Sequence, residues 1–173
     1  MIYNYIADSD KYECLEFASR HDRTLDKFGC GVRLAGDWKP IPAKIDDSVG
    51  RPGDFPSAFG QIPVLSLRAW TLLEPLIGES VEALPLKCPG RNLFALNVLA
   101  VVDCLDQEKC EFKYYSSGKI MRVAKFAFRN DPTEKHHMFS IPETSGDVFI
   151  SDQFRKLVEQ ENLKGLQFKL VRT

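Results

Sequence analysis

The sequence has 173 residues, of which 44% are hydrophobic and 27% charged, and its 23 basic and 24 acidic residues give a net charge of −1. This composition is typical of a globular protein and excludes a disordered chain, a collagen-like repeat and a coiled coil. The near-neutral charge argues against a dedicated nucleic-acid-binding protein, which would carry a basic surplus. Because a chain of this length can bury a hydrophobic core without disulfide bonds or a bound metal ion, we predict a single domain over residues 1–173.

The cysteine pattern and the hydropathy of the chain bear on its location. The N-terminus lacks the basic segment and apolar run of a secretory signal, and no apolar stretch approaches the ~20 residues that span a bilayer. Five cysteines, with no CxxC spacing, predict reduced thiols and not a disulfide scaffold. We therefore expect a cytoplasmic protein that contacts no membrane and holds neither a metal nor a cofactor.

The first sixty residues predict short elements followed by a long loop. Residues 2–6 read as a strand, 12–19 as a short helix and 31–34 as a strand, and residues 46–61 form the clearest loop of the chain. Loops of this length often bind something, and two aromatic residues are unusual in a simple spacer. The loop therefore supplies the candidate partner-binding residues: Arg51, Asp54, Phe55 and Phe59. The alternative interpretation is that the two phenylalanines anchor the loop to the core.

Two segments share a strand–helix–strand pattern. In the first, Ser66 follows a strand and is a suitable N-cap for a helix that Pro75 is expected to end or kink near Leu73. In the second, Ser151 or Asp152 caps the helix, with Ser151 at the position that Ser66 holds 85 residues earlier, and a strand over 166–171 follows the helix. A duplicated unit is one interpretation of this offset, and two ordinary units with common capping chemistry is the other.

The middle of the chain is predicted to consist mainly of strands. Residues 93–105 read as a buried strand, or as two strands with a bend, and residues 119–129 give the strongest strand pattern. In that second pattern, Ile120, Ala124, Phe126 and Phe128 are expected on one face, with a bulge or an edge position accommodating Arg122. The sum is an α+β fold with a mixed or largely antiparallel sheet of short strands and two or three helices.

No catalytic motif is present, and the polar residues give only weaker candidates. The sequence contains no nucleophile elbow, phosphate-binding loop, zinc-protease helix or EF-hand, so we predict no catalytic residue. Asn97, Asp103 and Arg122 are the candidates for a polar ligand site, although bonding to adjacent backbone at a bulge or strand end is the simpler explanation of Asn97. The three histidines, His21, His136 and His137, are expected at solvated positions.

One strand region carries charge of a single sign. Residues 113–129 hold five basic residues and no acidic one. A basic sheet face of this kind could bind a charged partner, but five charges form a small phosphate footprint, and a solvated face is the simpler interpretation.

Several motifs between Arg51 and Val171 resemble one protein family. The residues that carry the resemblance are Ser66 after the sequence PVL, Asn97 before a hydrophobic stretch with Asp103 and Asp106, the motif VFISDQF at 148–154, and LKGLQF at 163–168. In this pattern the chain resembles the myxobacterial-type immunity proteins, family eleven of the bacterial polymorphic toxin systems. Residues 1–50 show no recognised resemblance.

The resemblance implies a bacterial immunity protein whose partner is a cognate toxin encoded nearby. Such a protein binds its toxin stoichiometrically without covalent chemistry and needs a complementary surface with a few aromatic or arginine anchors. An enzyme or small-ligand-binding protein of unknown type, or a homo-oligomeric structural protein, remains the alternative. Neither the toxin nor the oligomeric state follows from the sequence.

Overall fold

The computed structural model describes residues 1–18, 25–46, 50–129, 131–144 and 146–172, and His21 lies outside these ranges. Within them the chain forms short strands and two α-helices, which confirms the predicted α+β class. The strands are β1 (Ile2–Ala7), β2 (Cys14–Phe17), β3 (Ala43–Asp46), β4 (Ser57–Ala58), β5 (Val64–Ser66), β6 (Val81–Pro85), β7 (Leu93–Val98), β8 (Glu111–Tyr114), β9 (Ile120–Lys125), β10 (Met138–Ser140), β11 (Val148–Ser151) and β12 (Leu166–Arg172). The helices are α1 (Leu67–Ile77) and α2 (Asp152–Gln160).

The strands form four small sheets. A four-stranded sheet has the order β10-β11-β1-β12, and a three-stranded sheet has the order β5-β7-β6; both are antiparallel throughout. A third sheet, β3-β2-β4, is mixed, because β2 pairs antiparallel with β3 and parallel with β4. Strands β8 and β9 form a separate hairpin.

The two strand–helix–strand units are built alike and exchange their central strands. In each unit a helix links two strands that lie on either side of a third strand, antiparallel to both: β7 lies between β5 and β6, and β1 lies between β11 and β12. The strand registers of the two units also correspond. Leu65, which precedes the cap Ser66, pairs with Phe94, and Ile150, which precedes the cap Ser151, pairs with Tyr3. The N-terminal strand β1 thus completes the C-terminal unit, while β7 completes the unit in the first half. This arrangement favours the duplication interpretation.

Both helices begin at the predicted serine caps. The Ser66 hydroxyl accepts from the backbone N–H of Ala69, and the Ser151 hydroxyl accepts from that of Phe154, each at 3.1 Å. Of the two effects expected of Pro75, an end or a kink near Leu73, the first is wrong, because the helix continues to Ile77 and has Gly78 as its C-cap. Leu73 and Ile77, on either side of Pro75, are fully buried, and their packing holds the last turn in helical form despite the hydrogen bond that proline removes.

Three apolar clusters form the interior. The largest lies between the two helices and the two antiparallel sheets and contains Phe55, Leu73 and Phe154. A second lies around β2, β3 and β7 and contains Phe17 and Leu93. The third, around Phe149, packs against residues 100–112 and the β8–β9 hairpin. The four-stranded sheet is therefore covered on both faces near Phe149.

Several local predictions are corrected. Residues 14–17 form a strand and not the expected helix, because Leu15 and Phe17 alternate with less buried neighbours at the two-residue period of a strand. Residues 31–34 are not a strand, and the buried strand expected over 93–105 ends at Val98.

The β9 prediction is confirmed in part. The strand forms and its pairing with β8 contains the expected irregularity. Val123 is buried and Ala124 exposed, the reverse of the expected alternation, whereas Phe126 and Phe128 pack against the third cluster as predicted.

Candidate partner-binding surface

The loop after β3 is attached to the body of the protein at Arg51. Its backbone N–H donates to Lys11 O and its carbonyl accepts from Glu13 N–H, both at 3.1 Å. The guanidinium lies 4.8 Å from the centroid of the Tyr12 ring and donates to the Tyr12 hydroxyl at 3.2 Å. Arg51 is exposed, so the structure presents this predicted contact residue at the surface in a fixed position.

Asp54 connects three parts of the chain. One carboxylate oxygen accepts from the Ser66 hydroxyl at 2.8 Å, and the other accepts from Arg68 Nη1 at 3.2 Å and from the backbone N–H of Lys164 at 3.0 Å. Its side chain is only 14% exposed. Because its oxygens already accept three hydrogen bonds, Asp54 fixes the loop against the start of α1 and the start of β12.

The two phenylalanines of the loop have opposite environments. Phe55 is fully buried and meets the Tyr5 ring edge-on at 6.3 Å between centroids, whereas Phe59 is 57% exposed. The expectation that Phe55 is an exposed contact is therefore wrong: it is a core anchor. Gly165 permits this packing, since a Cβ there would lie 3.0 Å from the Phe55 carbonyl oxygen.

An ion pair between buried Glu13 and partly exposed Arg91 holds the loop in place, and sequence analysis did not identify it. Glu13 is 4% exposed and pairs with Arg91, whose Nη1 lies 2.8 Å from Oε2; Arg91 Nη2 also donates to the Gly53 carbonyl at 3.2 Å. Removing Arg91 would leave the buried carboxylate of Glu13 without its partner charge. Nothing in the local sequence joins residues 78 positions apart.

An apolar hollow of about 280 Å³ lies beside Phe59. It is lined by residues of the segment 25–29, of the loop around Phe59, and of β7 and β11. An exposed ring beside an apolar hollow is the arrangement found at the centre of protein–protein contacts.

The three residues of the predicted polar site are not brought together. Asn97 is fully buried and bonds to Gly29 N–H at 3.1 Å, to the Val32 carbonyl at 2.7 Å and to Glu82 at 2.9 Å. Asp103 is exposed and pairs with Arg129 at 2.5 Å. Arg122 lines a separate groove that neither Asn97 nor Asp103 reaches. Asn97 therefore has a structural role: its amide holds the loop over residues 29–32, which is distant in sequence, against β7.

Glu82 works with Asn97 in fixing that loop. Its carboxylate accepts from Leu34 N–H at 2.8 Å and lies 3.7 Å from Arg33. Burial opposes the charge on Glu82, but the hydrogen bonds from Leu34, Asn97 and Ala35, with the charge of Arg33, outweigh it and lower the pKa of this carboxyl below its usual value.

The adjacent histidines are not at solvated positions, which corrects the expectation. Both are half-buried: His136 Nδ1 lies 3.1 Å from the Ser80 hydroxyl, and His137 Nδ1 lies 2.9 Å from the Ser151 hydroxyl. Burial, together with the neighbouring His136, lowers the pKa of His137. Ser151 therefore contacts both the first turn of α2 and this imidazole.

A groove of about 920 Å³ lies between the four-stranded sheet and the β8–β9 hairpin. Its lining includes Lys113, Arg122 and Lys169. Among the described residues, no cluster of histidine, cysteine and acidic side chains is arranged to bind a metal ion. No helix in the described ranges has the length and apolar character needed to span a membrane.

Comparison with protein-family models identifies an immunity family. A model of the Immunity protein family (Imm11) matches residues 85–173, from the end of β6 through β12. No curated protein matches the chain. The match covers the motifs around Asn97, Ser151 and Gly165, whereas residues 51–84 of the resemblance lie outside it. Since the match spans half of the sequence, the chain belongs to the Immunity protein family (Imm11).

Proposed function

We propose that this chain is a bacterial immunity protein that binds one cognate toxin in the cytoplasm and blocks it by stoichiometric, non-covalent contact. The observation that carries the proposal is the match to the immunity family over residues 85–173. In this function the protein catalyses no reaction and acts by covering a surface of the toxin. The toxin is expected to be encoded by a neighbouring gene of a polymorphic toxin system.

The loop around Phe59 is the proposed contact region. Arg51 and Phe59 are exposed, while Asp54 and buried Phe55 hold the loop between them in place. A loop already fixed in its binding conformation loses little entropy on association, so more of the contact energy appears as affinity. Aromatic and arginine side chains contribute most often to such contacts.

Binding to the product of the adjacent gene tests the proposal directly. We expect saturable 1:1 binding in a calorimetric titration, with a Kd of about 1–10 nM, as for other specific interfaces of standard size. A folded toxin that does not bind would refute the immunity function. A thermal-shift screen with metabolites would then test the alternative, a small-ligand-binding protein.

A single substitution tests the position of the contact. Phe59→Ala is expected to weaken binding about 30-fold, since a well-packed aromatic anchor contributes roughly 2 kcal/mol. Leu67→Ala is the matched control, because Leu67 is also an exposed apolar residue, at 46%, but lies at the start of α1. Equal affinities of the two variants and the wild-type protein would refute this position while leaving the immunity function intact.

A further inference from the structure

The groove between the sheet and the hairpin carries unbalanced positive charge. Lys113, Arg122 and Lys169 line it, all three are exposed, and no ion pair joins any of them to an acid in the described part of the chain. A fourth lining cation, Lys125, pairs with Glu111 at 3.5 Å. Asp147 is the one acidic residue that the described lining contains. The groove therefore offers three cations without a partner.

Two of these cations oppose each other across the hairpin. Lys113 on β8 is the direct cross-strand partner of Arg122 on β9. Like charges at directly opposed positions destabilise an antiparallel pair, so this pairing does not help the free protein to fold. A carboxylate placed between them would remove the repulsion and accept hydrogen bonds from both.

The third cation comes from the other wall of the groove. Lys169 lies on β12, where it pairs in register with Asn4 of β1. Ile6 is 37% exposed and lies two residues from Asn4 on the same face of the sheet, so it adds apolar surface to this wall. The groove thus combines a row of cations with apolar surface, a chemistry that suits an extended peptide with alternating acidic and apolar side chains better than a bare anion.

We propose that this groove binds an acidic segment of the toxin, with Lys113, Arg122 and Lys169 as the cations that recognise its carboxylates. The inference rests on the proposed immunity function and gives it a second contact next to the Phe59 loop, whose Ser57, Ala58 and Gln61 also line the groove. It also gives a role to the basic run 113–129. The occupant is a protein segment because the apolar wall complements side chains, whereas a nucleic acid would need a longer track of cations.

Charge reversal tests the groove. Each of Lys113→Glu, Arg122→Glu and Lys169→Glu is expected to weaken toxin binding about tenfold at 150 mM salt, mainly through slower association, and the triple variant about 100-fold or more. Lys119→Glu is the matched control: it makes the same change of charge on an exposed lysine of the same hairpin that does not line the groove. We expect less than a twofold effect from it.

A stability measurement separates recognition from folding. Lys113→Glu places opposite charges across from each other, so its Tm is expected to rise by about 1–3 °C while its affinity for the toxin falls. A fall in Tm that accounts for the loss of binding would overturn the inference.

Binding of a labelled polyglutamate peptide tests the groove in an experiment that does not require the toxin. We expect it to bind the wild-type protein and the Lys119→Glu variant with a Kd of roughly 100 µM, and to lose binding in the triple variant. If the wild-type protein binds the toxin but the groove variants bind it equally well, the inference fails and the immunity function stands. If the toxin does not bind at all, the immunity function fails, and the peptide-binding experiment alone decides whether the groove recognises carboxylates. Tighter binding of a single-stranded oligonucleotide than of the peptide would overturn the proposal in favour of nucleic acid.

Discussion

Removing the Asn97 amide tests whether the loop around Val32 depends on buried hydrogen bonds. Asn97→Ala deletes three: the bonds to the Gly29 N–H, to the Val32 carbonyl and to the carboxylate of Glu82. Asn97 is fully buried and Glu82 is 8% exposed, so neither site exchanges its bonds freely with bulk water. Each deleted bond leaves a polar group that has lost a partner.

The expected loss of stability follows from this count. A neutral hydrogen bond contributes about 1 kcal/mol and a bond to a charged group about 1.5–3 kcal/mol, giving a sum near 4 kcal/mol. Val32 is 53% exposed, so water can reach part of the vacated space from the loop side. We therefore expect the free energy of unfolding to fall by about 2–4 kcal/mol.

Urea unfolding followed by circular dichroism measures this change. Asn92→Ala is the control, because Asn92 is an exposed asparagine just before β7, and its substitution is expected to change stability by less than ~0.5 kcal/mol. A loss below ~1 kcal/mol for Asn97→Ala would refute the argument that these bonds hold the loop.

The same variant is expected to change the dependence of stability on pH. As the pH falls, Asn97→Ala should begin to lose stability at a higher pH than the wild type, because the pKa of Glu82 is lowered partly by Asn97. That carboxyl stabilises the fold above its unfolded pKa, and its contribution is lost as the pH falls through the folded value.

Three further outcomes are expected. Phe55→Ala should reduce the free energy of unfolding by about 3–5 kcal/mol in urea titration, since the ring is fully buried; a loss under ~1 kcal/mol would contradict its role as a core anchor. Gly50→Ala should destabilise the protein by roughly 2 kcal/mol or more in the same assay, because Gly50 has a φ of +80° and a Cβ there would overlap the Tyr12 backbone; an unchanged midpoint would refute this. The pair with Lys156 is the main cause that lowers the pKa of Asp152 to about 2, so the contribution of Asp152 to stability is present above pH ~4 and lost as the pH falls toward 2. Asp152→Asn should remove that part of the acid dependence in thermal melts, and an identical acid profile would count against it.

The features of the fold that depend on local chemistry could be predicted from the sequence. Ser66 and Ser151 are N-caps in the structure because a hydroxyl there accepts from the first turn, a relation set within four residues. The same reasoning failed at 12–19, where Leu15 and Phe17 are separated by the two-residue period of a strand, yet the segment also fits a short helix. Only pairing with β3 and β4 decides between the two.

The candidate site depended on contacts that sequence reasoning could not supply. Phe55 and Phe59 are the same residue type in the same loop, but Gly165 and Tyr5 enclose the first and leave the second exposed. The basic run of β8 and β9 was visible, whereas Lys169 joins it across the groove from the other end of the chain. Such pairings have no signature in a single sequence, because nothing local links the positions.

The exchange of central strands has a consequence for how the protein is made. Strand β1 is translated before the other described strands, yet its partners β11 and β12 are the last two of them to be translated, and Ile2 pairs with both Ser151 and Arg172. Until then Ile2, Tyr3 and Tyr5, all buried in the finished structure, have no sheet to enter. Contacts of such long sequence separation slow folding and prolong the exposure of apolar surface. A nascent chain of this protein therefore contains an incomplete C-terminal unit until synthesis has passed β12, and any protection against a toxin begins only after that point.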